Sequence, residues 1–258
     1  LIEIRNATVW RGSTRVFENF SLTIGQGEYV AILGPNGSGK TTLLKLINRE
    51  LYPLAHVETR VRILDRERWN VWELRKHIGV VSQDLHSGYS PSTTALEVVV
   101  SGFYSSIGVH GTLASRVTTE QVVRAEQTLD RLGIAELRST ALRSMSTGQQ
   151  RRCLLGRALV HDPATLILDE PTSGLDMAAA FDFVARVREL ARRGRSLVMV
   201  THHLNDIPPE VERVIVLKRG AVVADGPKRD VLDRALLSEV YGVPIRVTEV
   251  DGWFLAHL

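Results

Sequence analysis

The run Gly34-Pro35-Asn36-Gly37-Ser38-Gly39-Lys40-Thr41-Thr42 restricts this chain more than any other stretch. It satisfies the spacing G-x-x-x-x-G-K-[ST], in which glycines let backbone N–H groups close around phosphate oxygens. Before it, Tyr29-Val30-Ala31-Ile32-Leu33 is a continuous apolar run, the pattern of a strand buried on both faces. After it, a helix is predicted from about Lys40 to Arg49. A glycine loop between a buried strand and a helix start puts phosphate at the positive end of that helix. Lys40 would reach the β- and γ-phosphates of a nucleoside triphosphate, and the Thr41 hydroxyl would ligate Mg²⁺.

The rest of the chain alternates strand and helix patterns around this loop. Ile2 to Trp10 and Phe20 to Ile24 read as strands separated by turns, and Val57 to Leu64 as a further strand. From Ala95 to about Leu142 the pattern is mainly helical, with Val122, Val123, Ala125, Leu129 and Leu132 at helical spacing. Alternation then resumes: a helix over about Gly148–Val160, a strand Thr165–Leu168, a helix Ala178–Arg193 and a strand Ser196–Val200. Val211–Leu217 and Ala221–Ala224 pair around Lys218-Arg219-Gly220, and Asp251-Gly252 marks a hairpin in the tail. This order predicts an α/β protein, a mostly parallel sheet flanked by helices. Leu166-Ile167-Leu168-Asp169-Glu170 delivers carboxylates to a strand's carboxyl end, where ligands bind in open α/β sheets. Asp169 would hold Mg²⁺, and Glu170 would polarise an attacking water.

Met145-Ser146-Thr147-Gly148-Gln149-Gln150-Arg151-Arg152 resembles the signature L-S-G-G-Q-x-x-R of ABC (ATP-binding cassette) ATPases. Physically it is a second anion site, in which Ser146 and the Gly148 N–H cap a helix whose start faces a phosphate. The resemblance covers nearly the whole chain. It implies a P-loop NTPase fold with an N-terminal antiparallel β portion and an inserted helical lobe, and ATP with Mg²⁺ as cofactors. Residues 1–86 and 147–258 would form the ATP-binding core and 87–146 the lobe. It further implies two subunits, identical or paralogous, that sandwich two ATPs, each signature facing the ATP of the other. By the same resemblance Gln83 senses Mg²⁺ and the attacking water, Asp176 lies in a loop at the dimer interface, and His202 contacts the γ-phosphate. Three departures stand out: Met145 for leucine, Thr147 for glycine, and Arg11 where the family stacks adenine on an aromatic. Adenine would stack on the Arg11 guanidinium, or a local bulge would bring in the neighbouring Trp10.

Val98-Val99-Val100-Ser101-Gly102-Phe103 and Thr201-His202-His203 resemble importer-type ATPases such as those of molybdate and iron–siderophore systems. The chain would then drive a separate transmembrane permease, docked along Asp84 to Phe103, from the cytoplasmic face of the membrane. The alternative is a soluble ABC ATPase acting on ribosomes or DNA, but such proteins usually carry a second cassette or coiled-coil arms. No segment reaches the ~20 apolar residues of a membrane span. The start Leu1-Ile2-Glu3-Ile4-Arg5 does not read as a signal peptide, and the missing initiator Met reads as a processed N-terminus. Net charge is only +3, and of the arginine-rich stretches 151–152 and 186–195, Arg186, Arg188, Arg192 and Arg193 read as the solvated outer face of one helix, so no direct nucleic-acid partner is expected. Cys153 is the only cysteine, which excludes an intrachain disulfide and a cysteine-based zinc cluster.

Overall fold

A computed structural model describes residues 1–82, 85 and 87–258. The chain opens with β1 (Ile2–Arg11), β2 (Thr14–Ile24), β3 (Tyr29–Leu33), α1 (Lys40–Ile47) and β4 (Arg60–Ile63). It continues with α2 (Val71–His77), β5 (Ile78–Val81), α3 (Ala95–Ser101), α4 (Thr119–Arg131), α5 (Thr147–Leu159), β6 (Thr165–Asp169) and α6 (Met177–Arg192). It closes with β7 (Ser196–Thr201), β8 (Arg213–Lys218), β9 (Ala221–Pro227), α7 (Lys228–Val231), α8 (Arg234–Tyr241), β10 (Arg246–Val250) and β11 (Trp253–His257). These form two compact units, Leu1–Val71 with Ser196–Leu258, and Trp72–Arg195.

In the first unit β1 pairs antiparallel with both β2 and β4. Its alternating Ile2, Ile4, Ala7 and Val9 are buried, as are Phe17, Phe20, Leu22 and Ile24 of β2, so one face of the ribbon is apolar. The β3 run is buried as its composition requires, with Val30, Ala31, Ile32 and Leu33 all fully buried. Val30, Ile32 and Leu33 each contribute about 1.5–3 kcal/mol by leaving water. β3 lies between β7 and β8 and runs parallel to both, while β9 folds back antiparallel on β8. Ala31, Val214, Val216, Leu237, Val240 and Phe254 belong to one core cluster with the C-terminal elements. The Asp251-Gly252 pair turns β10 into β11, both residues at positive φ (50° and 79°), as a tight hairpin demands.

The strand expected at Val57–Leu64 is shorter, because its start is captured by a turn. Thr59 N donates to His56 O at 3.0 Å and Glu58 N to His56 Nδ1 at 3.3 Å. Residues before Arg60 therefore make local bonds in place of a ladder.

In the second unit β5 and β6 run parallel. The helices start where side chains can satisfy their free N–H groups. Thr94 with Glu97, Thr118 with Gln121, and Ser146 with Gln149 each close a reciprocal capping box at the start of α3, α4 and α5. Val98, Val99 and Val100 of α3 are buried and turn inward. The expected docking run is thus core along that stretch, while Gly88 and Ser90 to Ser92 before it are exposed.

Candidate functional site

In the first unit, Leu33 is in register with Thr201, so the loop after β3 and His202 after β7 leave the sheet side by side at its carboxyl edge. The loop is tightly built. A Cβ on Gly34 would lie 2.3 Å from Leu217 O. Gly39 has φ 110°, and a Cβ there would lie 2.7 Å from the Phe17 ring, so only glycine fits either place. Ser38 N donates to Pro35 O, and Gly220 N donates to Ser38 O at 2.9 Å. Lys40 is 7% exposed, and its ammonium donates to Gly34 O at 2.7 Å and Pro35 O at 3.2 Å.

Two features of this loop fit an oxyanion. α1 starts at Gly39 with no side-chain cap, so its first N–H groups point outward from a positive helix end. Ser38 Oγ is buried and has no partner among the described residues, a polar atom that needs a further acceptor or donor. Thr41 is half-buried at the first turn and Thr42 is buried, while Pro35, Asn36 and Gly37 form the outer rim.

His202 is half-buried and fixed through its backbone. Tyr241 Oη donates to its carbonyl at 3.2 Å. Thr201 Oγ1 donates to Asp206 Oδ2 at 2.6 Å and accepts from His203 N at 3.0 Å. The His202 and His203 rings lie 3.8 Å apart at 44°. At the far end of the ribbon, Arg11 is exposed and pairs with Thr14, while Trp10 pairs with Arg15. The register slips between Val9 and Trp10, because Val9 pairs with Phe17. Trp10, next along the strand from buried Val9, is 43% exposed, so it is not a core side chain.

In the second unit, β6 brings the half-buried Asp169 to its carboxyl end behind Leu166, Ile167 and Leu168. Glu170 follows with φ 47°, a left-handed conformation rare for a residue with a side chain. Ser173 N donates to Glu170 O at 3.2 Å and Leu175 N to Thr172 O at 3.0 Å, which fold the segment into consecutive turns. Asp176 ends it by capping α6, its Oδ1 accepting from Ala179 N at 2.8 Å. At the start of α5, Ser146 Oγ accepts from Gln149 N, and Gln149 Oε1 accepts from Ser146 N at 2.8 Å. Ser146 is exposed and Gly148 half-buried. The Gln149 side chain is therefore used within the cap, while Ser146 itself lies at the exposed surface. Met145 is buried with its sulfur 3.7 Å from Cys153 Sγ. Cys153 is an inert core thiol, pushed by burial up to about 12.

Gln83 and Asp84 lie outside the described residues. The arginine-rich stretch at 151–152 is not all surface: Arg151 is 5% exposed, and its Nη2 donates to Ser173 O at 3.0 Å. Its helical spacing to Leu154, Leu155 and Ala158, all buried, carried that signal.

The pattern that defines the family described as ABC transporter matches residues 17–173. The hemin import ATP-binding protein HmuV of Bradyrhizobium diazoefficiens is 31% identical over 260 residues, 98% of this chain and 92% of that protein. The ABC transporter ATP-binding protein ModF of Escherichia coli is 36% identical over 245 residues, 93% of this chain and 47% of that protein. Among solved structures, a nucleotide-free ATP-binding cassette superposes with a TM-score of 0.74 at 24% identity, covering 95% of this chain and 96% of that one. A dimeric cassette in a post-hydrolysis state bound to ADP and Pi superposes with a TM-score of 0.71 at 29% identity, covering 88% and 98%. The fold is that of these cassettes, an α/β P-loop structure with parallel core strands, flanking helices and antiparallel N-terminal strands. This chain belongs to the ABC transporter family, as one of its ATP-hydrolysing cassettes.

Proposed function

We propose that the chain powers an importer by closing on ATP against a second cassette and reopening after hydrolysis. The observation that carries this reading is the exposed, capped start of α5 at Ser146, a helix N-terminus that would suit an anion and is separate in sequence from the Gly34–Thr41 loop. A loop that holds phosphates needs no such second site unless another copy's nucleotide meets it. The relatives named for hemin import and phosphonates import support the importer class. The partners are then a second ATPase subunit, identical or paralogous, and a separate permease, with the cassette peripheral at the cytoplasmic face of the membrane. Residues 1–86 and 147–258 would act as the ATP-binding core and 87–146 as the inserted lobe.

In this reading Gly34 to Thr42 and Lys40 hold the phosphates, and hairpin residues Arg11 or Trp10 take the adenine. Ser146, Gly148 and Asp176 serve the facing subunit's nucleotide, with Gln149 fixing Ser146. His202 orients toward the γ-phosphate and Gln83 toward the water. The Thr41 hydroxyl and the Asp169 carboxylate are hard oxygen donors that suit Mg²⁺, which is held mainly by phosphates and few protein groups. Bound there, Mg²⁺ would neutralise charge on the phosphate oxygens. Glu170 accepts the proton side of the attacking water, and preorganised donors stabilise the charge that develops. Glu170→Gln keeps the shape and removes the charge. It is expected to lower phosphate release at least about a hundredfold while ATP-dependent dimers persist in size-exclusion chromatography. Turnover at the wild-type rate would remove Glu170 from this role.

A further inference from the structure

Arg151 sits about one and a half turns into α5 from Ser146. Its neighbours have local or outer partners. Gln150 Nε2 donates to Leu142 O and Met145 O, and Arg152 Nε lies 3.7 Å from Asp182. Arg151 alone of the three points into the interior. A guanidinium stays charged and carries five donors, so burying it is costly unless acceptors and opposite charge meet it.

Both come from one short segment. Nη2 donates to Ser173 O at 3.0 Å. The Asp169 carboxylate opposes the loss of solvation that lowers the Arg151 pKa. From Ser173 the connection continues: its own N–H donates to Glu170 O at 3.2 Å. Arg151 thus grips the far end of the turn that holds Glu170 in its left-handed conformation. Such a conformation persists only where the surroundings over-determine it. Nη1 is buried with no acceptor among the described residues, so the group has capacity for one more acceptor.

We infer that Arg151 is a positioning residue for hydrolysis, tying the signature helix to the turn that presents Glu170. Displacement of the α5 start by an anion is passed through a buried charged contact to the carboxylate segment of the same chain. The inference rests on the roles proposed above for Glu170 and Ser146.

The test uses full-length Arg151→Met and Arg151→Lys beside wild type and Glu170→Gln. Phosphate release is measured against ATP concentration, and amide hydrogen exchange is followed over residues 170–176. Arg151→Met is expected to lower kcat by about ten- to a hundredfold, the range seen when a residue supporting a metal-site ligand is lost. ATP KM should stay within about twofold, because the phosphate loop is untouched. Exchange over 170–176 should rise, and Arg151→Lys, which keeps charge and a donor, should recover most of both. Wild-type kcat in Arg151→Met, or unchanged exchange at the turn, would overturn the inference. So would equal losses in Met and Lys that follow melting temperature alone. If Arg151→Met does not fold, Arg151→Gln replaces it, with the same ordering against Lys expected. Wild-type turnover in Glu170→Gln would instead sink the role of Glu170, and the exchange data would still judge the grip on the turn.

Discussion

Arg11 and Trp10 show how one residue's displacement along a strand changes what the sequence implies. Alternation alone puts neighbouring side chains on opposite faces, which made Arg11 the expected stacking partner for adenine. Val9 is buried, and Trp10 and Arg11 after it are both exposed, while the pairing of Val9 with Phe17 but Trp10 with Arg15 puts an extra residue in β2. A bulge is invisible to pattern reading because it depends on the partner strand's count of residues. With an indole free to stack, Trp10→Ala is expected to weaken ATP binding about tenfold, and Arg11→Ala by less, in fluorescence titration. The reverse order would return the stacking role to Arg11. Arg151 is the second such case. Its charge suggested solvent, while its place on the apolar stripe with Leu154, Leu155 and Ala158 pointed inward. The phosphate loop was legible residue by residue, since every constraint on it is local: glycine where a Cβ cannot fit, and a lysine within reach of the turn.

The start of α5 was legible for a related reason, through its cap at Ser146, and the starts of α3 and α4, not read from the sequence, are built the same way. The pairs Thr94/Glu97, Thr118/Gln121 and Ser146/Gln149 are short-range, and each side chain meets the other's backbone N–H. The late start of β4, at Arg60 in place of Val57, was not legible, because the His56 turn competes with a ladder that only the fold supplies. The loop after α5 carries a pH consequence. His161 packs edge-on against Phe103, 5.3 Å between centroids, and its Nε2 lies 3.3 Å from Phe103 O. Burial is the main cause holding it below the usual 6.5, with Lys76 and Arg124 adding like charge. Its folded pKa is therefore lower than its unfolded one. The unfolded chain takes up a proton that the native chain resists, and stability falls as pH drops below 6.5. His161→Phe keeps a ring against Phe103 and removes the proton. Its melting temperature should fall less than that of wild type between pH about 7 and 5, and an identical acid slope would show that His161 is not responsible.

The assembly is where the chain says least about itself. No helix among the described residues is long and apolar enough to cross a membrane. A tagged chain recovered from detergent-solubilised membranes is expected to bring an integral membrane protein with it, identified by mass spectrometry. Recovery with ribosomes in its place would overturn the transport reading. The order of motifs made the fold legible, because phosphate loop, signature and carboxylate strand each demand a fixed neighbour in the α/β succession. One feature of that succession has a cost. Glu170 occupies backbone space that side chains avoid, at about 1–2 kcal/mol. Asparagine tolerates that conformation better, so Glu170→Asn would relieve the backbone while removing the carboxylate. Under the role proposed for Glu170, its carboxylate serves turnover from a backbone conformation that costs the fold some of its robustness.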